Sequence, residues 1–132
     1  MVPRDLIDAA LLAQKQAYAP YSQFAVGAAL RDERNRIYAG CNVENAAFPE
    51  GMCAEAAALA AMIVAGGRRC IEVVVVAAGD RLITPCGGCR QKLREFGADD
   101  MTILLCDEAG ELRRTFRLGE LLPSSFGPEH LS

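Results

Sequence analysis

The sequence predicts an α/β chain in which helices pack against a sheet that is at least partly parallel. Three observations carry this: a nearly all-apolar helical stretch closed by Gly66-Gly67, the β-branched run Val73-Val74-Val75-Val76, and an alternation of helix-type with strand-type segments. Strands that alternate with helices need crossover connections, and crossovers place helices on sheet faces. With 132 residues, 52% of them hydrophobic, the chain is expected to form one compact domain over residues 1–132.

Each element has a local reason. Over residues 3–18, Leu6, Ile7, Ala10, Leu11 and the alanines recur at helical spacing behind Pro3, and Ala19-Pro20-Tyr21-Ser22 ends the pattern. Residues 24–30 and 36–41 flank the polar turn Asp32-Glu33-Arg34-Asn35 and read as an antiparallel hairpin. The stretch 42–51 is too rich in Asn, Pro and Gly to continue a strand. Residues 53–65 form the next helix, apolar almost all round and therefore expected to be buried and central. The valine run suits a strand covered on both faces over residues 71–78. Pro85 opens a third helix that Gly97 closes, and residues 101–106 supply a last strand.

Composition excludes several function classes. A net charge of −3 and a pI near 5.2 leave no broad basic surface, so no nucleic-acid partner is expected. No run is apolar and long enough to cross a bilayer, and Met1-Val2-Pro3-Arg4-Asp5 lacks the start of a secretory signal, which together give the expectation of a cytoplasmic protein without a membrane partner. In a reducing compartment six cysteines favour thiolates over bridges.

Three of those cysteines point to chemistry. Cys53-Ala54-Glu55 and Pro85-Cys86-Gly87-Gly88-Cys89 place sulfurs at the starts of two helices, where free backbone N–H groups and the positive dipole end favour anionic sulfur. Three thiolates with one position open to water, beside the carboxylate of Glu55, match a catalytic zinc site. Taken alone, Cys86 and Cys89 equally fit a redox dithiol, and Glu55 fits a charge placed near a helix dipole. Cys41, Cys70 and Cys106 read as core residues. The lone histidine, His130, lies in the last three residues and reads as solvated tail, so acid–base work falls to a carboxylate or to water.

Five motifs in order, Tyr21-Ser22-Gln23-Phe24-Ala25-Val26-Gly27-Ala28-Ala29-Leu30, Asn42-Val43-Glu44-Asn45-Ala46-Ala47, Cys53-Ala54-Glu55, Pro85-Cys86-Gly87-Gly88-Cys89-Arg90-Gln91 and Leu121-Leu122-Pro123-Ser124-Ser125-Phe126-Gly127-Pro128, resemble the small homotetrameric cytidine deaminases. The resemblance implies a three-layer α/β/α sandwich with a mixed sheet, Zn²⁺ held by Cys53, Cys86 and Cys89, and Glu55 as the proton shuttle. It further implies hydrolytic deamination at C4 of cytidine and deoxycytidine, releasing ammonia and giving uridine and deoxyuridine. By the same similarity Asn42 and Glu44 bind the ribose 3′-hydroxyl, Phe24 packs against the nucleoside, the backbone at Ala54 reads the base, and Phe126 caps a site across the interface of a homotetramer with shared pockets. The ordinary readings are a core phenylalanine, two turn residues and a surface anchor. A carboxylate suits a hydroxyl donor and repels a phosphate, so the expected substrate is a nucleoside.

The chain departs from the pattern at two places. Phe48 stands where the family often has tyrosine. Ala56 stands where many relatives carry an arginine that offsets the anionic three-thiolate centre, so the water at the metal is expected to be harder to deprotonate here, with Arg90 the nearest cation in sequence. This second departure keeps open a deaminase of modified cytosine nucleosides, such as blasticidin S or N4-substituted cytidines. A noncatalytic zinc scaffold is the reading from another class, and Glu55 argues against it, because a scaffold needs no carboxylate beside an open metal position.

Overall fold

The computed structural model describes residues 2–131. Five strands form one sheet in the order β2-β1-β3-β4-β5, with β1 Val26–Asp32, β2 Ile37–Cys41, β3 Cys70–Ala77, β4 Thr102–Cys106 and β5 Leu112–Arg117. Only the β3–β4 pair is parallel; the other three neighbouring pairs run antiparallel. The sheet is therefore mixed, and its parallel pair is joined through a helix.

Alternation along the strands builds two cores. On one face, Ala29, Val74, Val76, Leu104 and Cys106 meet Leu6, Ile7 and Ala10 of α1 (Arg4–Gln14). On the other, Leu30, Val73, Val75, Ile103 and Leu105 meet Ala58, Leu59 and Met62 of α2 (Ala54–Val64) and Leu93 of α3 (Gly87–Phe96). Successive valines point to opposite faces, which is why all four of Val73 to Val76 are buried. Helices on both sides of a mixed sheet give the three layers expected.

Two glycines set how closely these layers approach. A Cβ on Gly27 would lie 2.1 Å from the Ala10 carbonyl, and one on Gly40 would lie 2.6 Å from both the Ala54 carbonyl and the Ala58 amide. The first turn of α2 thus rests directly on the backbone of β2.

Four features differ from the sequence reading. Helix α1 stops at Gln14, short of residue 18, because the Tyr18 N–H bonds the Asn42 carbonyl and the Tyr18 carbonyl accepts from Glu44, drawing the chain into a bridge with Val43. Helix α2 is apolar at every position but Glu55, yet buried on one side only, with Ala60 exposed and Val64 89% exposed. Pro85 precedes α3 rather than opening it, since Cys86 is the cap and Gly87 the first helical residue. Strand β5 was hidden by Arg113, Arg114 and Arg117; it is an edge strand, where charge is tolerated on the open side. It leads into α4 (Leu118–Leu121).

The hairpin turn is tied by Asp32, buried within it. Its Oδ1 accepts from the amides of Arg34 (2.8 Å) and Arg36 (3.0 Å), and its Oδ2 accepts from the Arg34 guanidinium and the Tyr38 hydroxyl (3.0 Å).

Candidate metal centre and cleft

The sulfur site follows from two helix starts placed side by side. Cys53 caps α2 and Cys86 caps α3, both in extended backbone conformation (ψ 155° and 167°), and Cys89 lies within the first turn of α3. All three Sγ atoms lie within 4.8 Å of one another, with Cys53 Sγ 3.9 Å from Cys86 Sγ. A redox dithiol needs two sulfurs, and a third within 4.8 Å of both answers the ambiguity of the Cys-x-x-Cys pair in favour of a metal ion.

The three thiols differ in how they bear charge. Backbone amides at the start of α3, that of Cys89 foremost, hold Cys86 below the ordinary thiol range. Burial pushes Cys53 up, and burial followed by the charges of Glu55, Cys53 and Cys86 pushes Cys89 up. Three anions so close oppose one another, and a dication removes that opposition; the donor set fits zinc.

Glu55 is the second residue of α2 and only 5% exposed. Burial raises its pKa, offset only in part by its own backbone N–H, the Cys89 thiol and the charge of Lys92. A carboxyl whose pKa is raised by burial is better matched to giving and taking a proton than a free one.

Both groups open onto a cleft of about 370 Å³. Cys53, Ala54, Glu55 and Cys86 line it together with Asn42, Val43, Glu44, Val26 and Val75, and Ile83 and Thr84 form part of its wall. Asn42 spends its amide on the strand entry: Oδ1 accepts from the Val26 N–H (2.9 Å) and Nδ2 donates to the Phe24 carbonyl (2.8 Å). Glu44 accepts from the amides of Tyr21 (2.9 Å) and Ser22 (3.1 Å) and from the Ser22 hydroxyl, which chiefly holds its carboxyl below the usual range. An ionised carboxylate therefore stands at the cleft. A second hollow adjoins it through Glu44, Phe48 and Gly51, where the Tyr21 and Phe48 rings meet edge to face at 5.9 Å.

Phe24 and Phe126 are not among the residues lining the cleft. Phe24 is half-buried beside it, tied through its carbonyl to Asn42. Phe126 is 55% exposed and stacks on His130 at 5.2 Å, and the histidine itself stays exposed to solvent. Arg90 does not turn to the sulfurs as its place in the sequence suggested; its guanidinium is committed to Thr84, Pro85 and Leu121. The sequence reading passed over Val26, Val75, Ile83 and Thr84; the run just before Pro85-Cys86 was the signal for the last two, since residues flanking a ligand tend to form its surroundings.

A family model described as "Cytidine and deoxycytidylate deaminase zinc-binding region" matches residues 2–105. The chain belongs to this family. Its relatives include a cytidine deaminase of Sporosarcina psychrophila, 42% identical over 120 residues that cover 91% of this chain and 88% of the relative, and one of Mycobacterium tuberculosis, 43% identical over 87% of this chain and 82% of the relative. Among solved structures, cytidine deaminase from Burkholderia pseudomallei superposes with a TM-score of 0.88 at 41% identity, covering 96% of this chain and all of the other. The mixed sheet and sulfur triad described above are thus the deaminase fold and its zinc-binding region.

Proposed function

We propose that this chain is a zinc-dependent hydrolase that deaminates cytidine and deoxycytidine to uridine and deoxyuridine with release of ammonia. The observation that carries this is the buried Glu55 carboxyl beside a triad of sulfurs on one wall of an open cleft. Relatives about 40% identical over most of the chain are cytidine deaminases, which supports the same reading.

Cys53, Cys86 and Cys89 hold the zinc, which when bound supplies Lewis acidity that makes water a nucleophile near neutral pH. Glu55 carries protons: it takes one from the attacking water and delivers it to N3 of the cytosine ring. It then takes the proton of the new C4 hydroxyl and passes it to the amino group, which leaves as ammonia while C4 becomes a carbonyl. Its raised pKa suits both halves of that cycle. The backbone at Ala54, beside Glu55 at the start of α2, reads the base, and Phe24 packs against the nucleoside. Glu44 and Asn42 bind the ribose: the Glu44 oxygens, already fixed by Tyr21 and Ser22, have lone pairs left for a sugar hydroxyl. The charge of Glu44 disfavours a phosphorylated sugar, so the substrate class is a nucleoside rather than a nucleotide or a strand.

The apolar outer side of α2 and the exposed Phe48 (74%), Val64 (89%) and Phe126 (55%) support assembly into a homotetramer in which Phe126 reaches a neighbour's cleft. A reducing cytoplasm suits six free cysteines. No helix among the described residues is long and apolar enough to cross a membrane.

The test is the ultraviolet change on mixing zinc-loaded protein with cytidine, read beside deoxycytidine, cytidine monophosphate, N4-substituted cytidines and blasticidin S. Turnover of the two unmodified nucleosides but not of the monophosphate is expected. Turnover confined to the modified compounds would replace this substrate assignment.

A further inference from the structure

The wall that carries Cys86 is irregular, and one side chain holds it. Residues 79–85 lie between β3 and α3 without helix or strand, and Pro85 has no amide to donate. Among the described residues, the hydrogen bonds that reach this stretch come from the Arg90 side chain: Nε donates to the Pro85 carbonyl (2.7 Å) and Nη2 to Thr84 Oγ1 (2.8 Å). The remaining nitrogen, Nη1, donates to the Leu121 carbonyl (2.8 Å), at the end of α4. Thr84 and Cys86 line the cleft on either side of the buried Pro85.

We propose that Arg90 is a positioning residue which fixes the Thr84–Pro85–Cys86 wall, so that the Cys86 sulfur stays in register with Cys53 and Cys89 and the cleft keeps its shape. This rests on the zinc-site reading above. The planar guanidinium meets three acceptors in fixed directions, which an ammonium group cannot reproduce. A loop without ladder bonds has many conformations of similar energy, and each of them moves Cys86. Arg90 therefore acts on the metal through a ligand's backbone, without touching sulfur or substrate. A neighbouring residue offers a control: Arg94, one turn on, binds Ser125 Oγ (2.7 Å) and Glu129 of the same C-terminal segment but makes no bond to the wall.

The experiment compares Arg90→Gln, Arg90→Lys and Arg94→Gln with the parent by zinc affinity in competition with a chromophoric chelator, by KM and kcat for cytidine, and by the melting temperature of the zinc-free chain. Arg90→Gln is expected to weaken zinc by about 10-fold or more and to raise KM, as removal of groups behind metal ligands does. Arg90→Lys recovers part of the loss, and Arg94→Gln keeps parental zinc affinity. Parental zinc affinity in Arg90→Gln, or equal losses in Arg94→Gln, would overturn the proposal. Should Arg90→Gln not fold, Thr84→Val removes a single acceptor: weaker zinc binding supports the proposal, and unchanged binding overturns it. A parent that binds no zinc, or fails to turn over cytidine, instead sinks the site reading on which this stands.

Discussion

Asp32 and Glu55 are both buried carboxyls, at 1% and 5% exposure, yet their surroundings drive them in opposite directions. Burial alone raises both. Around Asp32, the Arg36 amide, the Tyr38 hydroxyl and the amide and guanidinium of Arg34 outweigh that cost and hold the group ionised. Around Glu55, the neighbours offset burial only in part, and its pKa stays raised. The number of donors within reach decides which buried acid is held as an anion and which is pushed toward its neutral form. One ties a turn; the other faces a cleft.

The largest effect expected from this contrast is on catalysis. Glu55→Gln should lower turnover by about 10²- to 10⁴-fold, the range for loss of a positioned acid–base group, while zinc content stays at the parental level. Stopped-flow or steady-state ultraviolet assays check it, and unchanged turnover would remove Glu55 from its role. Asp32→Asn, by contrast, should leave kcat per folded molecule unchanged.

Stability should invert the order. Asp32→Ala leaves the Tyr38 hydroxyl and the Arg34 and Arg36 amides without their acceptor and should cost about 3 kcal/mol in urea unfolding, whereas Glu55→Gln should cost little. Equal losses in the two variants would erase the comparison.

The pH dependence has a definite sign. A carboxyl whose folded pKa is lowered contributes stability that is fully present above its unfolded value, near 4, and fades as pH falls through the folded value. The gap in urea midpoint between the zinc-free parent and Asp32→Asn is therefore expected to be constant from about pH 6 to 7 and to shrink below about pH 4. A gap that widens on acidification would contradict the assignment of Asp32 as an anion.

The smallest effect concerns Ala56. An arginine there places a cation on α2, a helix that carries none, near the three thiolates, and Ala56→Arg should move the acidic limb of the pH–rate profile down by about one unit or less. Coincident limbs would show that the helix starts already supply the compensation.

Much of the site was legible because its signals are local. A thiol at each of two helix starts and a carboxylate two residues past the first are positions along one chain, and the caps at Cys53 and Cys86 stand where the pattern places helix starts. Phe24 and Phe126 were chosen by similarity, and within one chain neither reaches the cleft wall, since a pocket edge depends on how distant segments meet. Arg90, the nearest cation to Cys89 in sequence, bonds Thr84, Pro85 and Leu121 for a related reason: nearness along the chain says nothing about which acceptors a long, flexible side chain will find. Strand β5 was overlooked because charge at an edge strand obeys solvent exposure rather than the periodicity of a buried strand.

By itself the sequence determined which residues can bear charge or bind metal, where helices begin, and that Val73 to Val76 must be covered on both faces, because these follow from side-chain chemistry and near-neighbour sterics. Only the tertiary structure decided that the two helix starts adjoin, that the Arg90 guanidinium bonds Thr84, Pro85 and Leu121, and that the pKa of one buried acid is lowered while that of the other is raised. Those outcomes depend on desolvation and on donors supplied from remote parts of the chain, and both exist only once the layers have packed.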